Sequence, residues 1–260
     1  MSDTTKYSGS VVEAARKFLL ESANSQYSYN FHWLSRPIIQ YPQDIVAFQE
    51  VVWRVKPDLI IEMGIAHGGS LILSASLLAL LDLCEHGQTT LAPQQEFCRC
   101  VIAADIEIRS HNRKALEEHP LYPRIKLIEG SSIDEAVIVQ VKKEAEKHEK
   151  VLICLDSNHT HDHVLAELEA YAPLTSVGSY CIVFDTLIED LPQSMFNDRP
   201  WGPGNSPKTA VAEYIDCLQK DGRIASDGQP LQLRNDERIQ ENTLITVAPE
   251  GFLKRVNQSK

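Results

Sequence analysis

The sequence predicts an α/β protein: a doubly wound, mostly parallel seven-stranded sheet with helices on both faces and an N-terminal helical extension. Short β-branched runs alternate with helix-length amphipathic segments from Asp58 onward, as in parallel sheets covered on both sides. A glycine-rich turn, Gly64-Ile65-Ala66-His67-Gly68-Gly69-Ser70, joins the first run to an apolar helix. Acids stand where later runs end, at Asp105, Asp156 and Asp185.

Residues 1–57 form the extension. They hold a helix over Ser10 to Ser22, an aromatic patch of Tyr27, Tyr29, Phe31 and Trp33, the segment Pro37 to Pro42, and a helix over Gln43 to Arg54. Aromatics this dense fill a core or an interface, so we expect a lid or an oligomer arm here and a homo-oligomer as the assembled form. Residues 58–260 form the ligand-binding domain. Its expected strands are Asp58 to Met63, Cys100 to Asp105, Ile125 to Glu129, Val151 to Leu155 and Ser179 to Asp185. Helices are expected over Ser70 to Cys84, Ser110 to Glu118, Ser132 to His148, His161 to Tyr171 and Lys208 to Lys220. Thr243 to Val247 reads as a further strand, with a turn at Glu250-Gly251 leading into Phe252 to Val256. The Pro- and Gly-rich stretch from Leu191 to Pro207, with Trp201-Gly202-Pro203-Gly204-Asn205 at its tip, is long enough to be functional.

Composition narrows the function. With 43% hydrophobic and 23% charged residues, the 260-residue chain can bury a sizeable core. A net charge of -11 with no basic run disfavours nucleic acid, and the mixed-sign stretch Lys142 to Lys150 is a solvated helix face. No apolar window reaches the length of a membrane span, and Met1 to Lys6 lack the apolar core of a signal peptide. The six cysteines are scattered, and Cys98 and Cys100 are too close for a zinc or redox motif. Reduced thiols and a cytoplasmic setting are expected.

The turn has the spacing G-x-x-x-G-G, not the dinucleotide pattern G-x-G-x-x-G. Glycine is needed where backbone must approach a ligand or adopt positive φ. Glu62, just before the turn, would repel phosphate but could accept a hydrogen bond from a cationic amino group, such as that of S-adenosylmethionine. Its alternative role is a helix-terminal acid. Asp105 stands where an open α/β sheet presents an acid to ribose hydroxyls, with Ile106 beside it, or else it is a turn residue. Gly130-Ser131-Ser132 either borders an adenine or opens the next helix. Ala66, His67 and Ser70 complete the expected lining.

A second cluster follows the fourth strand: Asp156-Ser157-Asn158-His159-Thr160-His161-Asp162-His163. With Asp185 it should face the carboxyl edge of the sheet, where such folds bind ligands. Carboxylates at Asp156 and Asp185 suit Mg²⁺, which takes one or two protein carboxylates and keeps waters; alternatively both merely cap turns. A metal there would acidify a substrate hydroxyl, and His159 is the favoured base for its proton. A zinc site of His159, His161 and His163 competes.

These residues resemble the cephalosporin hydroxylase and rhamnosyl O-methyltransferase family over most of the chain, from about Tyr29 onward. The most specific stretches are Glu62 with the glycine turn, Leu155-Asp156-Ser157-Asn158-His159, Val183-Phe184-Asp185-Thr186, and the Trp201 tip. The resemblance implies a class I methyltransferase fold, S-adenosylmethionine at Glu62, Gly64, Gly68, Gly69, Ser70 and Asp105, and Mg²⁺ at Asp156 and Asp185. It further implies methyl transfer to a hydroxyl, with a sugar or other small molecule as partner. The chain departs from related metal-dependent sugar methyltransferases at Phe184, where an acid is expected, and at Asn158, where some have an acidic base. Glu189, Asp190 or water would then supply the third ligand. The rivals are a hydroxylase using a redox metal at Asp156, His159 and His161, and a noncatalytic binding protein using the aromatic N-terminal region.

Overall fold

The computed structural model describes residues 6–86 and 99–257; Cys98 and Met1 to Thr5 lie outside them. The chain begins with helix α1 (Gly9–Asn24), an antiparallel hairpin of β1 (Phe31–Trp33) and β2 (Arg36–Ile38), and helix α2 (Pro42–Val55). The alternating part follows: β3 (Leu59–Met63), α3 (Gly69–His86), β4 (Cys100–Asp105), α4 (Ser110–Glu117), β5 (Ile125–Glu129), α5 (Glu135–Ala145), β6 (Val151–Leu155), α6 (His161–Tyr171) and β7 (Tyr180–Val183). Helix α7 (Pro207–Lys220), β8 (Leu233–Asn235), α8 (Glu237–Thr243) and β9 (Phe252–Arg255) complete it. The main sheet has seven strands in the order β5-β4-β3-β6-β7-β9-β8, parallel from β5 to β7, with β9 antiparallel to both neighbours.

Every residue of β3 and of β6 is buried, which explains their continuous apolar runs: both sheet faces are covered. Alternation along β3 sends Leu59, Ile61 and Met63 to the side of α5, α6 and α7, and Ile60 to the side of α2 and α3. Glu62 follows Ile60, so a carboxylate enters the α2–α3 layer.

Helix α2 is part of that layer. Its Phe48, Val51, Val52 and Val55 are buried in one core with Ile60, Leu78 and Phe252. Of the aromatic patch, Tyr27, Phe31 and Trp33 pack against this core, and Tyr27 stands edge-on to Phe18 and Phe31 at 5.4 and 5.1 Å. Tyr29 is exposed.

Two expectations are corrected. Thr243 to Val247 is not a strand: α8 runs to Thr243, Leu244 has φ of 59°, and the added strand is β8. The buried Asp44 of α2 accounts for this: its carboxylate accepts hydrogen bonds from Thr246 Oγ1 (2.5 Å) and Val247 N (2.9 Å), and the second diverts a backbone donor a ladder would use. The helix expected over Ser132 to His148 is shorter, running from Glu135 to Ala145 after Asp134 as its N-cap.

The N-terminal hairpin grips the glycine turn. Arg36 donates from Nε to His67 O (3.0 Å) and from Nη2 to Asn112 Oδ1 (2.9 Å). A Cβ on Gly69 would lie 2.2 Å from Pro37 O, and one on Gly64, whose φ is 101°, would lie 2.1 Å from Asp156 O. Backbone-to-backbone contact thus dictates these glycines. Gly69→Ala should cost about 1–3 kcal/mol in urea unfolding, whereas Gly9→Ala, with open space around it, should stay within about 0.5 kcal/mol. Equal stability of the two variants would contradict the tight hairpin–turn contact.

Candidate active site

The carboxyl ends of β3, β4 and β6 converge because β3 pairs in register with both neighbours, Met63 lying opposite Ala104 and Leu155. Gly64 N donates to Ala104 O (2.9 Å), and Asp156 N to Met63 O (2.8 Å). Asp105 ties the turn down, its Oδ2 accepting from Ile65 N (2.8 Å) and Ala66 N (3.3 Å). Ala66 itself has φ of 45°, and its carbonyl accepts from Asn112 Nδ2 at 2.9 Å. The two amides held by Asp105 are therefore spent on the turn.

Beneath the turn lies a cavity walled by Gln40, Asp44 and Phe48 from the N-terminal region, Glu62 and Gly64 from the β3 end, and Ser70 and Ser74 from α3. Cys154, Asp156 and Phe184 close the other side. Glu62 is buried and accepts hydrogen bonds from the hydroxyls of Ser74 and Ser70. Burial pushes its carboxyl up to about 7, against the pull of those hydroxyls. Asp44 is likewise pushed up to about 7 by burial, although Thr246 and Val247 favour its charged form. Asp156 is held well above the ordinary range by burial first, then by the neighbouring charge of Asp185. Among the described residues, three carboxylates and no lysine or arginine line this space. A ligand bringing positive charge complements it, whereas phosphate would not.

Asp156, which lines the cavity, groups with His159 and Asp185: each offers one ligand atom, all within 4.8 Å of one another. His159 Nε2 lies 3.2 Å from Asp185 Oδ2, and its ring meets the edge of Trp201 at 4.8 Å and 84°. Asp185 has φ of 56°, a left-handed bend that turns its side chain out of the strand direction. Trp201 arrives on the loop between β7 and α7. Glu189 anchors that loop, accepting from Gly204 N (2.9 Å) and from Ser206 Oγ (2.7 Å), while Ser206 caps α7.

Several expected residues have other partners. Glu189 binds Gly204 and Ser206, and Asp190 pairs with Lys208 at 3.0 Å; the group able to hold a metal among the described residues contains neither. The zinc set does not form, and neither does the redox set of Asp156, His159 and His161. His161 faces Thr209 Oγ1 (2.8 Å) and Glu213 Oε2 (3.1 Å), while His163 Nε2 faces Ser132 Oγ (3.0 Å) and Ser157 Oγ (3.2 Å). Their divergence follows from spacing, because i and i+2 positions on a helix do not share a face. Asn158 is a turn cap, its Oδ1 accepting from Thr160 N (2.9 Å) and Thr160 Oγ1 (2.8 Å).

Of the expected lining, Glu62, Gly64, Ser70 and Asp156 share the cavity wall. A Cβ on Gly68 would meet Leu116, and one on Gly130 would meet Val137. Ile106 is 74% exposed, and Ser132 is buried beneath Tyr171 and His163. Gln40 and Asp44 entered the wall without any signal in the sequence, where they read as an ordinary loop residue and a first-turn helix acid.

A family model described as Rhamnosyl O-methyltransferase/CmcI matches residues 25–256. Among curated proteins, the chain is similar to Rhamnosyl O-methyltransferase of Mycobacterium tuberculosis (strain ATCC 25618 / H37Rv), 28% identical over 213 residues covering 82% of this chain and 73% of that one. The Mycobacterium leprae (strain TN) protein of the same name is 28% identical over 185 residues, 70% of this chain and 69% of that one. Among solved structures, the fold is similar to CmcI with Mg and SAM, at TM-score 0.52 and 16% identity over 88% of this chain and 78% of that one. It is also similar to MycE methyltransferase from the mycinamycin biosynthetic pathway with Mg and SAH, at TM-score 0.50 and 16% identity over 93% of this chain and 54% of that one. With more than half of its length matched by that model, the chain belongs to the Rhamnosyl O-methyltransferase/CmcI family.

Proposed function

We propose that this protein transfers the methyl group of S-adenosylmethionine to a hydroxyl of a sugar or another small natural-product acceptor. One observation carries the proposal: a cavity by the glycine turn lined by three acids and, among the described residues, no basic one, which shares Asp156 with the group Asp156, His159 and Asp185. A donor with a sulfonium and an ammonium group supplies the positive charge those acids call for. The curated relatives are named rhamnosyl O-methyltransferases, in keeping with a sugar acceptor.

Glu62 and Ser70 would hold the amino-acid half of the donor, and Gly64, Ala66, His67, Gly68 and Gly69 would form the turn beside it. Asp105 and Ile106 would border the ribose, and Gly130, Ser131 and Ser132 the adenine. The residues present suit Mg²⁺: Asp156 and Asp185 would offer it two hard oxygen donors, with water as the further ligand such ions usually keep. When bound, the ion would lower the pKa of the acceptor hydroxyl. His159, oriented by Asp185 and flanked by Trp201, then takes the hydroxyl proton. The acceptor oxygen forms its bond to the methyl carbon as the carbon–sulfur bond breaks, the electron pair stays on sulfur, and S-adenosylhomocysteine leaves. The protein's main task is to align this pair and manage one proton.

Two outcomes test this. Calorimetric titration with S-adenosylmethionine should show affinity rising as pH goes from 6 to 8. Glu62 has its carboxyl raised to about 7 in the free protein, and a cationic ligand favours its charged form, so binding expels a proton and weakens as pH falls through 7. Glu62→Gln should weaken binding about tenfold at pH 8 and reduce that slope; an unchanged affinity would sink the assignment of Glu62. Asp185→Asn should lower kcat by about 10²–10⁴ in methyl transfer to a rhamnosyl acceptor, with donor affinity changed by less than about threefold. A loss confined to donor affinity would place Asp185 outside the acceptor side.

A further inference from the structure

Gln40 lies in the connection between β2 and α2. It is 7% exposed, and its side chain forms part of the cavity wall with Glu62, Gly64 and Asp156. Its amide nitrogen reaches Asp156 Oδ2 at 3.4 Å, and its Oε1 has no hydrogen-bond partner among the described residues. Toward the charged form of Asp156 the amide presents its nitrogen, because the reverse orientation would set two oxygens against each other. A carbonyl oxygen is thereby left buried and without a donor among the described residues. Buried polar groups in native proteins are rarely left so, and an orphan one calls for a ligand or water to complete it.

We propose that Gln40 is a donor-binding residue whose Oε1 accepts a hydrogen bond from the α-ammonium group of S-adenosylmethionine, alongside Glu62. The inference rests on the methyl-donor assignment of this cavity. The ammonium has three N–H bonds to place, so the Glu62 carboxylate takes one and leaves others for a second acceptor. A neutral amide suits that role, since the wall already holds Asp44, Glu62 and Asp156 and another carboxylate would add repulsion. The backbone supports the placement: Arg36 bonded to His67 O and the close approach of Pro37 to Gly69 fix the segment leading into Gln40. The N-terminal region would then be a permanent wall of the donor site.

The test compares two ligands on the full chain without added metal. S-adenosylhomocysteine carries the ammonium, whereas 5′-methylthioadenosine keeps the adenosine and sulfur but lacks the amino-acid half. Gln40→Met, nearly isosteric but with no acceptor of comparable strength, should weaken S-adenosylhomocysteine about tenfold and leave methylthioadenosine within about twofold. Gln40→Leu, which also removes the acceptor without adding charge, should give the same split between the two ligands and serves if the Met variant fails to fold. Equal weakening of both ligands by either variant would mean a packing role and overturn the inference. So would no weakening of either ligand. Failure of the unsubstituted protein to bind S-adenosylhomocysteine would instead refute the donor assignment and take the inference with it.

Discussion

The close approach of backbone to backbone at the glycine turn is the constraint on which the rest of the site depends. Gly64 leaves no room for a side chain against the carbonyl of Asp156, and Gly69 leaves none against the carbonyl of Pro37. The first contact brings the end of β6 beside the end of β3; the second seats the N-terminal hairpin on the start of α3. Asp105 and Arg36 lock the same turn from two sides, one taking its amides and the other its carbonyl. The glycines that read as clearance for a ligand are thus required first by the protein's own packing, and the cavity is what that packing leaves enclosed.

Electrostatics then gives the cavity its character. Burying a carboxylate is costly unless hydrogen bonds or a counter-charge compensate. Glu62 and Asp44 have the first, from Ser70, Ser74 and Thr246, but among the described residues the cavity lining contains no basic one. Phe184 fits this arrangement. It is 8% exposed in the wall with Asp44, Glu62 and Asp156, and an acid there would raise the local negative charge further. The same substitution leaves Asp156, His159 and Asp185 as the group able to hold a metal among the described residues.

The acceptor side is organised by longer reach. Trp201 stands against His159 because Glu189 binds Gly204 and Ser206 at either side of the loop's return, and because Ser206 and Thr209 form a reciprocal cap on α7. His161 contributes from α6, its amide donating to Asn205 Oδ1 at 2.8 Å and its ring facing Thr209. His161, which looked like a metal ligand in a histidine-rich run, therefore serves to hold the loop that sets Trp201 against His159.

What the sequence determined by itself was whatever local pattern encodes: the buried runs from β3 to β7, the helices between them, the glycine turn, and the strand-end positions of Glu62, Asp105, Asp156 and Asp185. Period and polarity carry that information within a few residues. Thr243 to Val247 misled for the same reason, since its apolar alternation suits a strand while its donors answer to Asp44, some 202 residues earlier in the chain. Only the tertiary structure could bring Gln40 and Asp44 into the cavity, seat His161 against Thr209 and Glu213, and turn Asp105 toward the glycine turn. Each of those outcomes depends on a partner distant in sequence, and the geometry that selects the partner exists only after the sheet has formed.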